Sequence, residues 1–266
     1  MIAVDEAGAG DALVLLHGVG ASRGVWRRAM PRLARRRRVL APDLPGFGGS
    51  DPAGAGFDLD AVADALAAGL ADRAAAPFDL VGNSLGGAVA VVLAARRPDL
   101  VRRLVLAAPA GFGPHGATVA RAGGVAGARL IGLRGRVGAP LAGSAAARRV
   151  LLFGTVGDPG GLAADDARGR LTASRDSVRI GPAIATVMAV DLRPRLSGLA
   201  VPCGALWGER DRVVPVATLD TLRACVPRLP VERIAGAGHV PQVEQPEAFT
   251  VALERLLDRI APVTGS

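Results

Sequence analysis

Lysine and tyrosine are missing altogether, and aromatic residues make up only 3% of the 266-residue chain. With no lysine, the 32 basic residues are all arginine, and the formal charge of +8 reads as a compositional bias toward Arg, Ala and Gly. Few rings means few stacking platforms, and the arginines are scattered, so nucleic acid is not expected as a partner. The densest run, Arg35 to Arg38, falls at the end of a predicted helix, where cations suit the carbonyl end of the dipole. There are only two cysteines, Cys203 and Cys225, far apart and in no Cys/His cluster, which excludes a disulfide framework and indicates no metal site. No uninterrupted apolar run approaches a membrane span, and the first residues carry acids where a signal peptide carries basic residues. A cytoplasmic protein that contacts no membrane is therefore expected. The sequence is silent on oligomeric state.

The chain does have length and hydrophobic content enough for one large core, at 50% apolar residues. Its organising stretch is Phe78 to Arg97. A short apolar run ends in Gly82-Asn83-Ser84-Leu85-Gly86-Gly87, and an Ala/Val/Leu-rich segment follows without a breaker until Pro98. That pattern predicts a strand, a sharp turn and a helix. Gly82 and Gly86 flank Ser84 as G-x-S-x-G, the spacing of a nucleophile elbow, where a strained serine needs neighbours without Cβ atoms. The N–H of Leu85 and the positive end of the helix dipole would then lie where an oxyanion develops. By itself the motif also fits a glycine-rich turn whose serine caps a helix.

Read in order, the chain alternates strands and helices. Strands are predicted at Ile2 to Glu6, Ala12 to Leu16, Val39 to Ala41, Phe78 to Val81, Arg103 to Ala108, Val201 to Trp207 and Leu229 to Ile234. Helices are predicted at Arg23 to Arg37, Asp58 to Arg73 and Pro246 to Ile260. The turn His17-Gly18-Val19-Gly20 offers the Val19 N–H as a second oxyanion donor, and His17 reads as a structural hydrogen-bonding residue. Asp43 and Asp51, in a loop dense in turn formers, read as turn and capping residues. From Phe112 to about Pro194 the alternation stops, and short helical stretches separated by Gly and Pro predict an inserted helical lid, with helices at Ala139 to Phe153 and Ile180 to Val190. The resulting division is a core of residues 1–111, an insertion of 112–198 and a second core segment of 199–266.

Past the insertion, Gly208-Glu209-Arg210-Asp211 follows a strand, with Pro215 suited to the first turn of a helix. Asp211 is favoured over Glu209 as a triad acid, a plain loop aspartate being the alternative. His239 stands on the Gly-rich loop after the last strand. A nucleophile, an acid and a histidine thus occur in the order Ser84, Asp211, His239.

With these parts assembled, the sequence resembles the α/β-hydrolase superfamily over nearly its full length. HGVG, DLPGFGGSD, GNSLGG, WGERD and GAGHVPQVEQPE all match in order. The resemblance implies an α/β-hydrolase fold: a mostly parallel central sheet flanked by helices, with an inserted helical lid. It implies Ser84 as nucleophile, His239 as general base and then acid, Asp211 as its orienting carboxylate, and the N–H groups of Val19 and Leu85 as an oxyanion hole. Neither a cofactor nor a metal is implied. Members usually have two strands before the one reaching the HG motif, and this sequence has room for one.

The expected activity is hydrolysis of a carboxylic ester of a small hydrophobic molecule through an acyl-enzyme. Asn83 and PAGFG are also similar to the meta-cleavage-product hydrolases, which split C–C bonds, although Val240 stands where that family often has tryptophan. Cofactor-free perhydrolases are a further alternative. A module that binds a small hydrophobic ligand without turnover is the non-enzymatic one.

Overall fold

The computed structural model describes residues 1–113, 117–176 and 179–260. Residues 114–116 and 177–178 of the expected insertion, and 261–266 of the closing segment, lie outside that range.

Seven strands form one sheet: β1 (Val4–Ala7), β2 (Ala12–Leu16), β3 (Arg38–Pro42), β4 (Phe78–Asn83), β5 (Val101–Ala107), β6 (Cys203–Gly208) and β7 (Val231–Ile234). Their order is β1-β3-β2-β4-β5-β6-β7. Only β1 runs antiparallel, against β3. The other strands are parallel to their neighbours. Parallel strands are covered on both faces, which is why β2, β4 and β6 are buried at every position.

The period-two rule assigns each residue to one of two cores. In β2, Val14 and Leu16 face one core and Leu13 and Leu15 the other. Leu15, Val81 and Val105 lie in register across β2, β4 and β5 on the same face. Each such fully buried aliphatic chain contributes about 1.5–3 kcal/mol.

Helices cover both faces. One side carries α1 (Met30–Leu33), with α2 (Leu59–Leu70) and α3 (Leu85–Arg96) on the other. Asp58 caps α2 by accepting from the Ala61 N–H at 2.8 Å. Leu59, Val62, Leu66 and Leu70 form its buried stripe. α3 is buried on nearly every side, as a helix without polar residues before Arg96 requires.

Between β5 and β6 lie α4 (Ala117–Leu141), α5 (Ala145–Leu151), α6 (Ala164–Asp176), α7 (Ile180–Ala189) and α8 (Arg193–Ser197). α9 (Thr218–Cys225), α10 (Pro241–Glu244) and α11 (Pro246–Arg259) complete the chain. The helical segment is tied down at several points. Ser174 Oγ donates to the Gly20 carbonyl at 2.7 Å and Thr186 Oγ1 to the Phe57 carbonyl at 2.7 Å, while Arg195 forks onto Asp60 at 2.7 and 2.8 Å.

Several predicted elements differ. The helix expected over Arg23 to Arg37 is a 3₁₀ turn, Arg23–Trp26, followed by the single α turn α1, because Pro31 supplies no N–H to continue the earlier turn. The helix expected over Ala139 to Phe153 is the end of α4, a break at Gly143, and α5. Ser144 caps α5 by accepting from the Ala147 N–H at 3.3 Å. Arg148 reaches back to the carbonyls of Ala142 at 2.8 Å and Gly143 at 3.0 Å, so α4 ends there. β6 and β7 begin after Pro202 and Pro230, which have no N–H to pair but still give their carbonyls to Leu104 and Ala205. Pro215 sits in a turn ahead of α9, and its carbonyl accepts from Thr218 at 2.8 Å.

Candidate active site

The loops after β2, β4, β6 and β7 all emerge at the carboxyl edge of the sheet, and strand order reverses between β2 and β4. A crevice forms where successive connections diverge. Ser84 occupies this point, at φ 56° and ψ −116°. A Cβ on Gly82 would fall 2.3 Å from the Gly86 carbonyl oxygen, and one on Gly86 only 2.4 Å from that of Leu16. Only glycine lets strand and helix approach so closely. The strained backbone is held by its own hydrogen bonds. The Ser84 N–H reaches the Ala107 carbonyl at 3.0 Å, and the Ser84 carbonyl accepts from Gly87 at 2.9 Å, Ala88 at 3.2 Å and Ala110 at 3.0 Å.

His239 Nδ1 lies 2.7 Å from Asp211 Oδ2. The other carboxylate oxygen of Asp211 accepts from the N–H groups of Val213 at 2.8 Å and Val214 at 3.0 Å. Trp207 Nε1 donates to the Val214 carbonyl at 3.0 Å, fixing that loop against the core. Asp211 is buried, whereas Glu209, two residues earlier, is exposed. With Nδ1 donating to Asp211, Nε2 of His239 has no protein partner among the described residues.

Ser84, His239 and Val19 line one cavity that opens to solvent. Asp211 stands behind His239, and Leu85 opens α3 directly after Ser84. Among the described residues, no protein acceptor takes the N–H of Val19 or of Leu85.

His17 is elsewhere in role. It is fully buried, and its Nε2 accepts the Leu44 N–H at 2.9 Å, which requires a bare lone pair there. The proton must then sit on Nδ1, which donates to the Gly18 carbonyl at 2.9 Å. Burial pushes the imidazole below its usual pKa, outweighing the opposing Gly18 carbonyl and Asp43. Asp43 is equally buried and accepts from the N–H groups of Arg23 at 2.6 Å and Gly49 at 2.8 Å and from the Arg23 guanidinium. Both residues shape the loops around the cavity. Asp51 is exposed and pairs with the chain's amino group.

Sequence reasoning gives no positioning role to several residues that have one here. Asn83 donates to the carbonyls of Ala107 and His239, both at 3.1 Å, and accepts from Gln242 at 3.1 Å. Glu244 clamps the histidine loop, accepting from Gly157 at 2.7 Å, Gly238 at 2.8 Å and Val240 at 3.2 Å. Arg134 on α4 and Arg170 on α6 also line the cavity. Asn83, named above only for a resemblance, and Glu244 both stand inside the matched motifs, which is the signal that points to their roles. The two arginines stand in a segment without motifs, where only tertiary packing brings them to the cavity. Among the described residues no group of three His, Cys, Asp or Glu side chains could hold a metal, and no helix is long and apolar enough to cross a membrane.

Residues 13–253 match the family model described as the alpha/beta hydrolase family, and the chain belongs to that family. It is 32% identical over 271 residues to a pimeloyl-[acyl-carrier protein] methyl ester esterase of Chromobacterium violaceum, covering 96% of this chain and 97% of that one. A 2-hydroxymuconate semialdehyde hydrolase of a Pseudomonas species is 46% identical over a shorter stretch, 40% of this chain and 39% of the other. A thermophilic esterase from Thermogutta terrifontis superposes with a TM-score of 0.79 at 24% identity, over 97% of this chain and 93% of that one.

Proposed function

We propose that this protein hydrolyses carboxylic esters of small molecules through an acyl-enzyme on Ser84. The observation that carries the reading is the 2.7 Å His239–Asp211 contact, whose imidazole shares a cavity with a serine held at φ 56°. A serine hydroxyl is a weak nucleophile at neutral pH and needs an adjacent base oriented by a third group.

In the proposed reaction Ser84 Oγ forms a bond to the carbonyl carbon while His239 Nε2 takes its proton. The carbonyl π pair becomes an oxyanion facing the N–H groups of Val19 and Leu85, and Asp211 stabilises the imidazolium. Collapse breaks the ester C–O bond, and the departing alcohol takes the proton from Nε2. Water, deprotonated by His239, then releases the acid and restores Ser84. α4 to α6 close the cavity from above and serve as the lid that selects the substrate.

A fluorophosphonate probe tests the nucleophile directly. Intact-mass spectrometry should show one adduct per chain, mapped to Ser84, and none on Ser84→Ala. Labelling elsewhere, or none, would sink the assignment.

Asn83 and the local identity to a 2-hydroxymuconate semialdehyde hydrolase favour C–C bond hydrolysis as a second reading. Turnover of a ring-fission product at a higher kcat/KM than any ester would establish it in place of the first.

A further inference from the structure

The cavity has a wall with two arginines whose guanidinium groups have no bound partner among the described residues. Ile131 and Arg134 of α4 and Arg170, Leu171 and Ser174 of α6 contribute to its lining. Ser174 fixes the placement of α6, since its hydroxyl is bound to the carbonyl of Gly20, next to Val19, at 2.7 Å. Arg170 lies one helical turn before it, and the Arg170 carbonyl is a second partner of the Ser174 hydroxyl at 2.9 Å.

The guanidinium of Arg170 is set in the protein with its Nε fully buried and without a hydrogen-bond partner. Glu244 is the carboxylate whose field reaches it, but both oxygens of Glu244 are taken up by the backbone N–H groups of Gly157, Gly238 and Val240. Burial accordingly pushes the Arg170 pKa down, against the attraction of Glu244. Arg134 is half-buried on the opposite helix, and among the described residues its side chain likewise meets no carboxylate or carbonyl.

The rest of the molecule treats its partly buried arginines differently. Arg37 and Arg103 bind Asp79, Arg195 binds Asp60, Arg23 binds Asp5 and Asp43, and Arg148 binds three carbonyls. Even the exposed Arg27 and Arg28, beside α6, share Asp166. Among the described residues that are not fully exposed, Arg134 and Arg170 are the arginines without a bound guanidinium, and both line the cavity of Ser84. A half-buried guanidinium whose Nε is buried without a partner is costly to the free protein, and the natural complement of its planar fork is an oxyanion held by two N–H groups.

We propose that Arg134 and Arg170 form an anion subsite, and that the ester this enzyme takes carries a carboxylate or phosphate at the end remote from the scissile bond. The proposal deepens the hydrolase reading and takes its site as given. A half-ester of an aliphatic dicarboxylic acid is the simplest molecule with both features: the neutral ester reaches Ser84 while the free carboxylate meets the arginines.

The test separates binding from turnover. Calorimetric titration of Ser84→Ala with monomethyl adipate, with its neutral isostere methyl adipamate and with methyl phosphooxybutanoate should show at least a tenfold preference for an anion over the amide. The better of the two anions identifies the natural head group. Arg170→Gln in that background should remove the preference, and Arg170→Lys should keep part of it, because it retains charge without the fork. Equal affinity for anion and amide, or a preference that survives both Arg170→Gln and Arg134→Gln, overturns the proposal. On the otherwise unmodified enzyme the same ratio should appear in kcat/KM. If Ser84→Ala prefers the anion but the enzyme turns over no ester, the hydrolytic reading fails and the anion subsite stands. If esters turn over without preference, the reverse holds.

Discussion

Asn83, the residue before Ser84, donates its side-chain amide to the carbonyl of His239 at 3.1 Å. The same nitrogen also donates to the Ala107 carbonyl, so one amide group locks the end of β4 to β5 and to the histidine loop. Both partners are acceptors, which fixes Nδ2 on that side and leaves Oδ1 for Gln242. The strand that presents the serine therefore also fixes the backbone of the histidine.

Asn83→Ala should lower kcat on a test ester by about 10- to 100-fold, with KM changing less, since an orphaned buried partner costs about 1–3 kcal/mol. Asn83→Asp should be worse, because it turns acceptor against acceptor. Steady-state kinetics check both. Activity in Asn83→Asp equal to the parent would contradict the positioning role.

Ser84 stores strain that its neighbours hold in place. Ser84→Gly should abolish turnover and raise stability by about 1 kcal/mol, the lower end of the cost of such a backbone conformation. Urea denaturation of the two proteins measures this. A glycine variant less stable than the parent would show that the conformation carries little strain.

The sequence made this elbow legible because its causes are local: Gly82 and Gly86 are needed by close approach within a few residues. The loops carrying Asp211 and His239 were legible for the same reason, each standing between a strand and a turn. The helical character of the segment between β5 and β6 was legible too, with α7 at Ile180–Ala189 where a helix is expected, but its internal break and its contacts were not. Its break at Gly143 depends on Arg148 folding back onto the carbonyls that end α4, and the arrival of Arg170 at the cavity depends on Ser174 reaching Gly20 from 154 residues away. Contacts of that span leave no periodic trace in the chain. The alternation of β2 between two cores likewise hides in an unbroken apolar run, since both of its faces are buried.

At the opposite edge of the sheet from the cavity, Asp79 is fully buried and receives Arg37 at 2.8 Å, Arg102 at 2.9 Å and Arg103 at 2.6 Å. Burial alone would raise its pKa, but the hydrogen bonds and charges of Arg103 and Arg102 outweigh it and hold the carboxyl below the usual carboxylate range. A depressed folded-state pKa stabilises above the unfolded value near 3.9 and loses that contribution as pH falls toward the folded one. Asp79→Asn should cost about 1.5–3 kcal/mol at pH 7 by removing the buried charge that three guanidinium groups share, while Arg37 keeps Glu254, Arg102 keeps Asp11 and Arg103 keeps the Leu257 carbonyl. The cost should shrink below about pH 4, where the parent's own carboxylate is protonated in the unfolded chain. Denaturant titrations at neutral and acid pH decide it, and a cost that is the same at both would contradict the ionised role.

His17 gives a second pH dependence in a different window. Its neutral imidazole must accept a proton on unfolding once pH drops below the ordinary histidine value near 6.5, so stability contributed above that pH is lost below it. His17→Gln should flatten the stability profile between about pH 7 and pH 5 relative to the parent, at the price of a lower plateau. Parallel profiles for the two proteins would mean that His17 is not the group responsible.

Acylation of Ser84 with the help of His239 underlies every step of the proposed reaction. Rapid mixing with a short-chain aryl ester, followed by the release of the phenol, tests it most directly in the parent, Ser84→Ala and His239→Ala. The account predicts a burst approaching one equivalent per chain, or turnover limited by acylation, in the parent, and neither in the variants. Phenol release from Ser84→Ala at the parental rate would contradict it.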